Sequence, residues 1–196
     1  MTNNAKTIFI TSLIAIAIVI IGVAMINANQ ASEQKQKAVI TADDLIGEPL
    51  PDIQLKDKDG NTYDLANLRG KSVVLFFNEG LMCYPACWNQ IASFGADARF
   101  NSEDRLALSV VVDSSQNWRK AIEKMPDLAK ATTLFDAEAV SSKQLGILSL
   151  GSSMHVGQLP GHTYILLDKQ GIVREVFDDP NMGVNNDILV EKMSKF

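Results

Sequence analysis

The chain has 196 residues, 46% hydrophobic and 21% charged, a globular balance that excludes a disordered, collagenous or coiled-coil protein. The net charge is −5; residues 1–40 balance at +2, from Lys6, Lys35 and Lys37 against Glu33, which leaves −7 for residues 41–196. So acidic a body is not built to bind nucleic acid, and two cysteines allow one intrachain bridge at most, not a disulfide scaffold.

Residues 8–26 read IFITSLIAIAIVIIGVAMI, nineteen residues without a charge. As a helix they span the hydrocarbon core of a bilayer, roughly 30 Å. A cleaved secretory signal is the competing reading. The pattern predicts a short tail over 1–7, a single transmembrane helix over 8–27, a polar stalk over 28–42 and a folded domain over 43–196. A tail of seven residues stays in the cytoplasm, which puts the domain on the extracytoplasmic side of the cell membrane. That compartment permits disulfides.

Within the domain, residues 52–55 alternate, Lys58-Asp59-Gly60 turns the chain, and residues 62–65 resume the alternation, which predicts a β-hairpin. Residues 72–77 (SVVLFF) are continuously apolar, as in a strand buried on both faces. A loop with both cysteines follows, then a helix over 88–100. Residues 106–112 (LALSVVV) predict a second buried strand, and 117–125 an amphipathic helix stopped by Pro126. A short strand at 132–135, a short helix at 137–145 and a Gly/Ser-rich loop at 148–158 come next. The chain closes with strands at 163–167 and 172–177 and a helix at 186–195. Alternating strands and helices predict a mixed central sheet flanked by helices. Right-handed crossovers make the two buried strands parallel neighbours. The cysteine loop then leaves the carboxyl end of a central strand, where chemistry collects in open α/β sheets.

Residues 77–88 read FNEGLMCYPACW. Pro85 suits the first turn of the following helix, which places Cys83 at or just before the N-cap and Cys87 one turn later. Residues four apart share a helix face, so the sulfurs can meet. Unpaired amides and the helix dipole favour a thiolate at Cys83, the nucleophile, with Cys87 as the resolving thiol. The alternatives are two inert buried cysteines or one static bridge, which would close too small a loop to add much stability.

From about Leu45 onward the chain resembles the thioredoxin-fold redoxins of the AhpC/TSA and TlpA-like group. The resemblance rests on IGEPLP at 46–51 and the hairpin after it, LRGK at 68–71 before SVVLFF, the cysteine loop, and LPGHTYILLDKQG at 159–171. It implies a thioredoxin fold with an N-terminal β-hairpin extension and a thiol-dependent oxidoreductase with no bound organic cofactor. The substrate is a peroxide or a disulfide, and a thiol protein is the redox partner. It also implies a cis proline at Pro160 that faces the reactive cysteine and keeps a backbone donor from contacting the sulfur. Three residues separate the cysteines where thioredoxin-like reductases have two. Neither cysteine is preceded by the Pro-x-x-x-Thr-x-x pattern of peroxiredoxins.

The Cys-x-Pro-x-Cys spacing is also similar to the Sco/SenC copper proteins, which implies an alternative: a copper-binding assembly factor using Cys83, Cys87 and His162. As supporting residues, His162 adjoins the strand start, Glu79 could accept a proton, and Trp88 packs beside the site. His155 and Met82 are weaker candidates, and Asp113 reads as the cap of the next helix.

Overall fold

The computed structural model describes residues 41–196, together with 21–23 and 25. The chain divides into two units, Met1–Val39 and Ile40–Phe196, and the second holds the sheet and both cysteines. Most of the predicted 8–27 span lies outside the described residues; 21–23 and 25 are helical. No helix among the described residues is long and apolar enough to cross a membrane.

Seven strands form one sheet: β1 (Gln54–Asp57), β2 (Thr62–Asp64), β3 (Ser72–Asn78), β4 (Arg105–Val111), β5 (Thr133–Phe135), β6 (Thr163–Leu167) and β7 (Val173–Asp178), in the order β2-β1-β5-β4-β3-β6-β7. As the crossover rule requires, β3 and β4 are parallel neighbours, and β5 continues the parallel set. The β1–β2 hairpin joins β5 antiparallel, while β6 and β7 close the other edge antiparallel. This is the mixed α/β sheet expected from the sequence.

Every residue of β3 is buried, and alternation sends its side chains into two cores. Val73, Leu75 and Phe77 meet Leu45, Leu50, Ile53, Leu145 and Ile147 on one face. Val74 and Phe76 point to the other, among Cys83, Cys87, Ile91, Phe94, Trp118 and Leu189. That second layer is supplied by α1 (Ala86–Ala96), α2 (Ser115–Lys124) and α4 (Asn186–Met193); α3 (Val140–Gln144) is short. The cysteines therefore lie between helix and sheet, beside a central strand.

Candidate functional site

The cysteine segment is anchored before it turns. Asn78 ends β3 fully buried, donates to the Phe76 and Val110 carbonyls, and accepts from Gly80 N at 2.9 Å. The Asp113 carboxylate accepts from Leu81 N at 2.8 Å, and burial raises the Asp113 pKa. Gly80 holds φ +62, and a Cβ there would collide with the Asp113 carboxylate, so glycine is required twice over. A 3-10 turn over Gly80–Cys83 results.

That turn corrects two expectations. The long helix starts at Ala86, with Pro85 as its N-cap, after a separate 3-10 turn whose amides at residues 80 and 81 are held by Asn78 and Asp113. Cys87, not Cys83, thus lies in the first turn of α1, and Cys83 ends the separate 3-10 turn. Asp113 does not cap α2; Ser114 does, accepting from Asn117 N.

Cys83 and Cys87 form a disulfide with Cα atoms 5.4 Å apart, both buried. On the same face of the sheet the sulfur's neighbour is the ring of His162: Nδ1 lies 3.5 Å from Cys87 Sγ. The expected cis bond at Pro160 is not found; the cis peptide among the described residues is Tyr84–Pro85. Pro160 stands two residues ahead of the contact, and Gly161 packs so tightly on Ser152 and Ser153 that no Cβ fits. The chain emerges with His162 N bonded to Ser152 Oγ at 2.6 Å and its ring, rather than the Pro160 backbone, against the sulfur. Ser152 is in turn held by the Asp178 carboxylate, which also accepts from Thr163 Oγ1.

The hydrogen-bond inventory assigns the tautomer of that ring. Asp97, an acceptor, takes the Asn186 amide N–H at 3.0 Å. Asn186 Oδ1 therefore accepts from Gln90 Nε2 at 2.9 Å. Gln90 Oε1 accepts from Asn185 N at 2.7 Å and from the Tyr164 hydroxyl at 3.0 Å. With its proton committed to Gln90, the Tyr164 oxygen accepts from His162 Nε2–H at 2.7 Å; the Gly183 carbonyl is a second acceptor at 3.1 Å. Nε2 carries the proton and Nδ1 offers a lone pair to Cys87. Burial depresses the His162 pKa to about 4, against the pull of Asp179 and the Gly183 carbonyl, so the ring is neutral at pH 7.

Glu79 is buried but turned away from proton exchange with Cys83. Its Oε1 accepts from Met154 N at 2.8 Å and His155 N at 3.3 Å, and Oε2 lies 3.0 Å from His155 Nδ1. It ties the 148–158 loop to the cysteine segment. Trp88 is the packing residue expected: buried, it donates to the Gly80 carbonyl at 3.1 Å and meets Tyr84 and Trp118 edge-on. Met82 is exposed. Gln90, Tyr164, Asn185 and Asn186 are functional neighbours that sequence reasoning misses. The available signals were a phenol inside an apolar strand and a glutamine among the apolar positions of α1.

The ligand atoms of Cys83, Cys87 and His162 all lie within 4.8 Å of one another. In the reduced state two thiolates and an imidazole nitrogen, its other nitrogen held by protein groups, suit a soft metal ion such as Cu(I).

Residues 46–176 match the AhpC/TSA family. The chain belongs to the AhpC/TSA family. It is 30% identical over 135 residues to chloroplastic peroxiredoxin Q of Triticum aestivum, covering 66% of this chain and 57% of that one. With chloroplastic peroxiredoxin Q of Sedum lineare it shares 30% identity over 139 residues, 68% of each chain. The alignments therefore span 57% and 68% of the length of these two relatives. Among solved structures, the AhpC/TSA chain is similar in fold to Enterococcus faecalis AhpC, with a TM-score of 0.65 at 16% identity over 77% of this chain and 91% of that one. It is similar also to peroxidoxin BcpB of Mycobacterium tuberculosis (0.61, 21%, covering 77% and 97%). A putative protein disulfide isomerase of Bacteroides thetaiotaomicron shares the fold too (0.56, 17%, covering 77% and 91%).

Proposed function

We propose that this AhpC/TSA chain is a thiol-dependent oxidoreductase that reduces a peroxide or a disulfide with Cys83 and Cys87. The observation that carries the reading is the bridged pair beside a neutral, tautomer-fixed imidazole. Cys83 adjoins exposed Met82 and Tyr84 while Cys87 is fully enclosed, which favours Cys83 as the attacking sulfur. With a peroxide, the Cys83 thiolate takes the distal oxygen, releases an alcohol or water, and is left as a sulfenate that gains a proton from solvent to become the sulfenic acid. Cys87 then attacks the sulfenic sulfur, and its proton is relayed by way of His162 Nδ1 to the departing hydroxyl, so that water leaves as the bridge forms. With a disulfide, Cys83 forms a mixed disulfide and releases one partner thiol; Cys87 displaces the second. A thiol protein returns two electrons.

The test is to treat reduced protein with one equivalent of hydrogen peroxide or of an oxidised dithiol peptide. The oxidant that closes the bridge faster at equal concentration is the substrate class. Failure of both to close it contradicts the reading.

The apolar run over residues 8–26 supports a membrane anchor with the domain on the extracytoplasmic side. The full-length protein is then expected in the membrane pellet after high-salt washing, and a shortened, soluble mature form would mark a cleaved signal instead.

A second reading rests on the convergence of Cys83, Cys87 and His162: a copper-binding protein that turns nothing over. Titration of reduced protein with Cu(II) separates the two. One-to-one thiolate-to-copper charge-transfer absorption that disappears in His162→Ala supports the copper role; its absence supports the redox role.

A further inference from the structure

Both sulfurs are shielded, Cys83 being 3% and Cys87 0% exposed. A dithiol protein reaches Cys83 only by seating on the surface around it. That surface contains a groove of about 480 Å³ between the cysteine turn and α2, within the size range of ligand sites. Its apolar lining is Leu81, Tyr84, Trp88 and Met125; Lys120 and Lys124 complete it, with Ala121 beneath. The two lysines are four residues apart on α2, hence on one side of the helix, and both are exposed. Neither forms a salt bridge among the described residues, and Glu123 does not line the groove. Two unneutralised cations over an apolar floor are a local exception on an acidic domain.

Apolar exposure also extends beyond the groove. Met82 lies on the cysteine turn, Met154 on the loop held by Glu79, and Val184 follows the Gly183 that bonds His162; all are more than half exposed. Apolar surface distributed over three segments that converge on one site suits a protein surface better than a small ligand.

We propose that this groove seats a segment of a partner protein in which the reacting cysteine is flanked by a large apolar residue and by acidic ones. The apolar side chain enters between Tyr84, Trp88 and Met125, and the carboxylates meet Lys120 and Lys124. The partner thiolate then attacks Cys83 Sγ and Cys87 leaves as thiolate. The partner's second thiol displaces Cys83, leaving this pair reduced and the partner oxidised by two electrons. The proposal rests on the redox reading above.

Two synthetic dithiol peptides test it, sharing one Cys-Leu-x-Cys core and flanked by Asp/Glu in one and Lys/Arg in the other. Their rates of opening the Cys83–Cys87 bridge are compared at low salt in the full-length protein and in Lys120→Glu/Lys124→Glu. Expected is a preference for the acidic peptide of about 10-fold that reverses in the double variant and shrinks in high salt, while dithiothreitol opens both proteins equally. Equal peptide rates, or a preference untouched by the double variant, overturn the proposal while leaving the redox reading intact. Oleate that blocks dithiothreitol but not the acidic peptide overturns it in favour of a small amphiphile. A bridge that neither peptide nor dithiothreitol opens overturns the redox reading and the docking proposal together.

Discussion

The Nδ1 lone pair of His162 faces the Sγ of Cys87 at 3.5 Å because the opposite ring nitrogen carries the proton and donates it in a 2.7 Å hydrogen bond to the Tyr164 oxygen. The pairing makes Cys87 the sulfur with a base at hand and leaves Cys83 as the sulfur nearest solvent. Roles expected from sequence position alone thereby acquire a different physical basis: proton acceptance at Cys87 rather than a helix dipole at Cys83.

Cys83→Ser is expected to abolish turnover, whereas Cys87→Ser permits one attack and then stops. Mass spectrometry of the second variant after oxidant should show a sulfenic acid or a mixed disulfide on Cys83. Accumulation of such an adduct on Cys87 in Cys83→Ser, at a similar rate, would reverse the assignment.

Tyr164→Phe removes the nearer of the two acceptors that hold the His162 Nε2–H and orient the ring, but leaves Gln90 Oε1 bonded to Asn185 N and His162 Nε2 near the Gly183 carbonyl. The variant should fold, with a loss of about 1 kcal/mol for the lost hydrogen bond. Closure of the bridge should slow by about 10-fold, the first attack by Cys83 remaining unchanged. Rapid-quench alkylation resolves the two steps.

Stability should fall on mild acidification. The folded pKa of His162, about 4, lies below the ordinary 6.5 because burial disfavours the charged ring. Between these values the unfolded chain binds more protons. The contribution of the neutral ring is therefore complete above about pH 6.5 and is lost as pH falls towards 4, amounting to roughly 3 kcal/mol. Asp113, raised by burial, acts in the opposite sense, so the measurement is differential. Urea unfolding from about pH 7.5 to about pH 4.5 should show wild type losing more stability than His162→Gln.

Glu79→Ala leaves the Met154 amide without its acceptor, removes one of the two acceptors of the His155 amide, and releases the 148–158 loop. A loss of roughly 2–3 kcal/mol is expected from orphaned polar groups, with faster proteolysis inside the loop at native conditions. Unchanged protease sensitivity would show that Ser153, which also accepts from His155 N and donates to the Leu159 carbonyl, suffices to hold the loop.

The sheet was legible because its strands are short, apolar and punctuated. SVVLFF and LALSVVV could only be buried, and handedness then made them parallel neighbours. The meeting of Cys83 with Cys87 was legible from spacing alone. The start of α1 was not: it follows a separate 3-10 turn whose amides at residues 80 and 81 are held by Asn78 and Asp113, and Asp113 is distant in the chain. The proline expectation failed for a related reason. A motif places Pro160, but which atoms of residues 160–162 face the sulfur is decided by the packing of Gly161 on Ser152, a contact between segments that the sequence leaves apart. The tautomer relay from Asp97 to His162 draws side chains from α1, β6, α4 and the turns beside them, and no local pattern announces it.

The central claim, that Cys83 and Cys87 form a working redox couple, is tested most directly by equilibrating the full-length protein in graded dithiothreitol buffers and counting alkylated thiols by mass spectrometry. The expected result is a single two-electron transition, both cysteines reduced together and the bridge restored on reoxidation, at a potential above about −300 mV. A bridge that stays closed to more reducing potentials would make it a static structural link and contradict the claim.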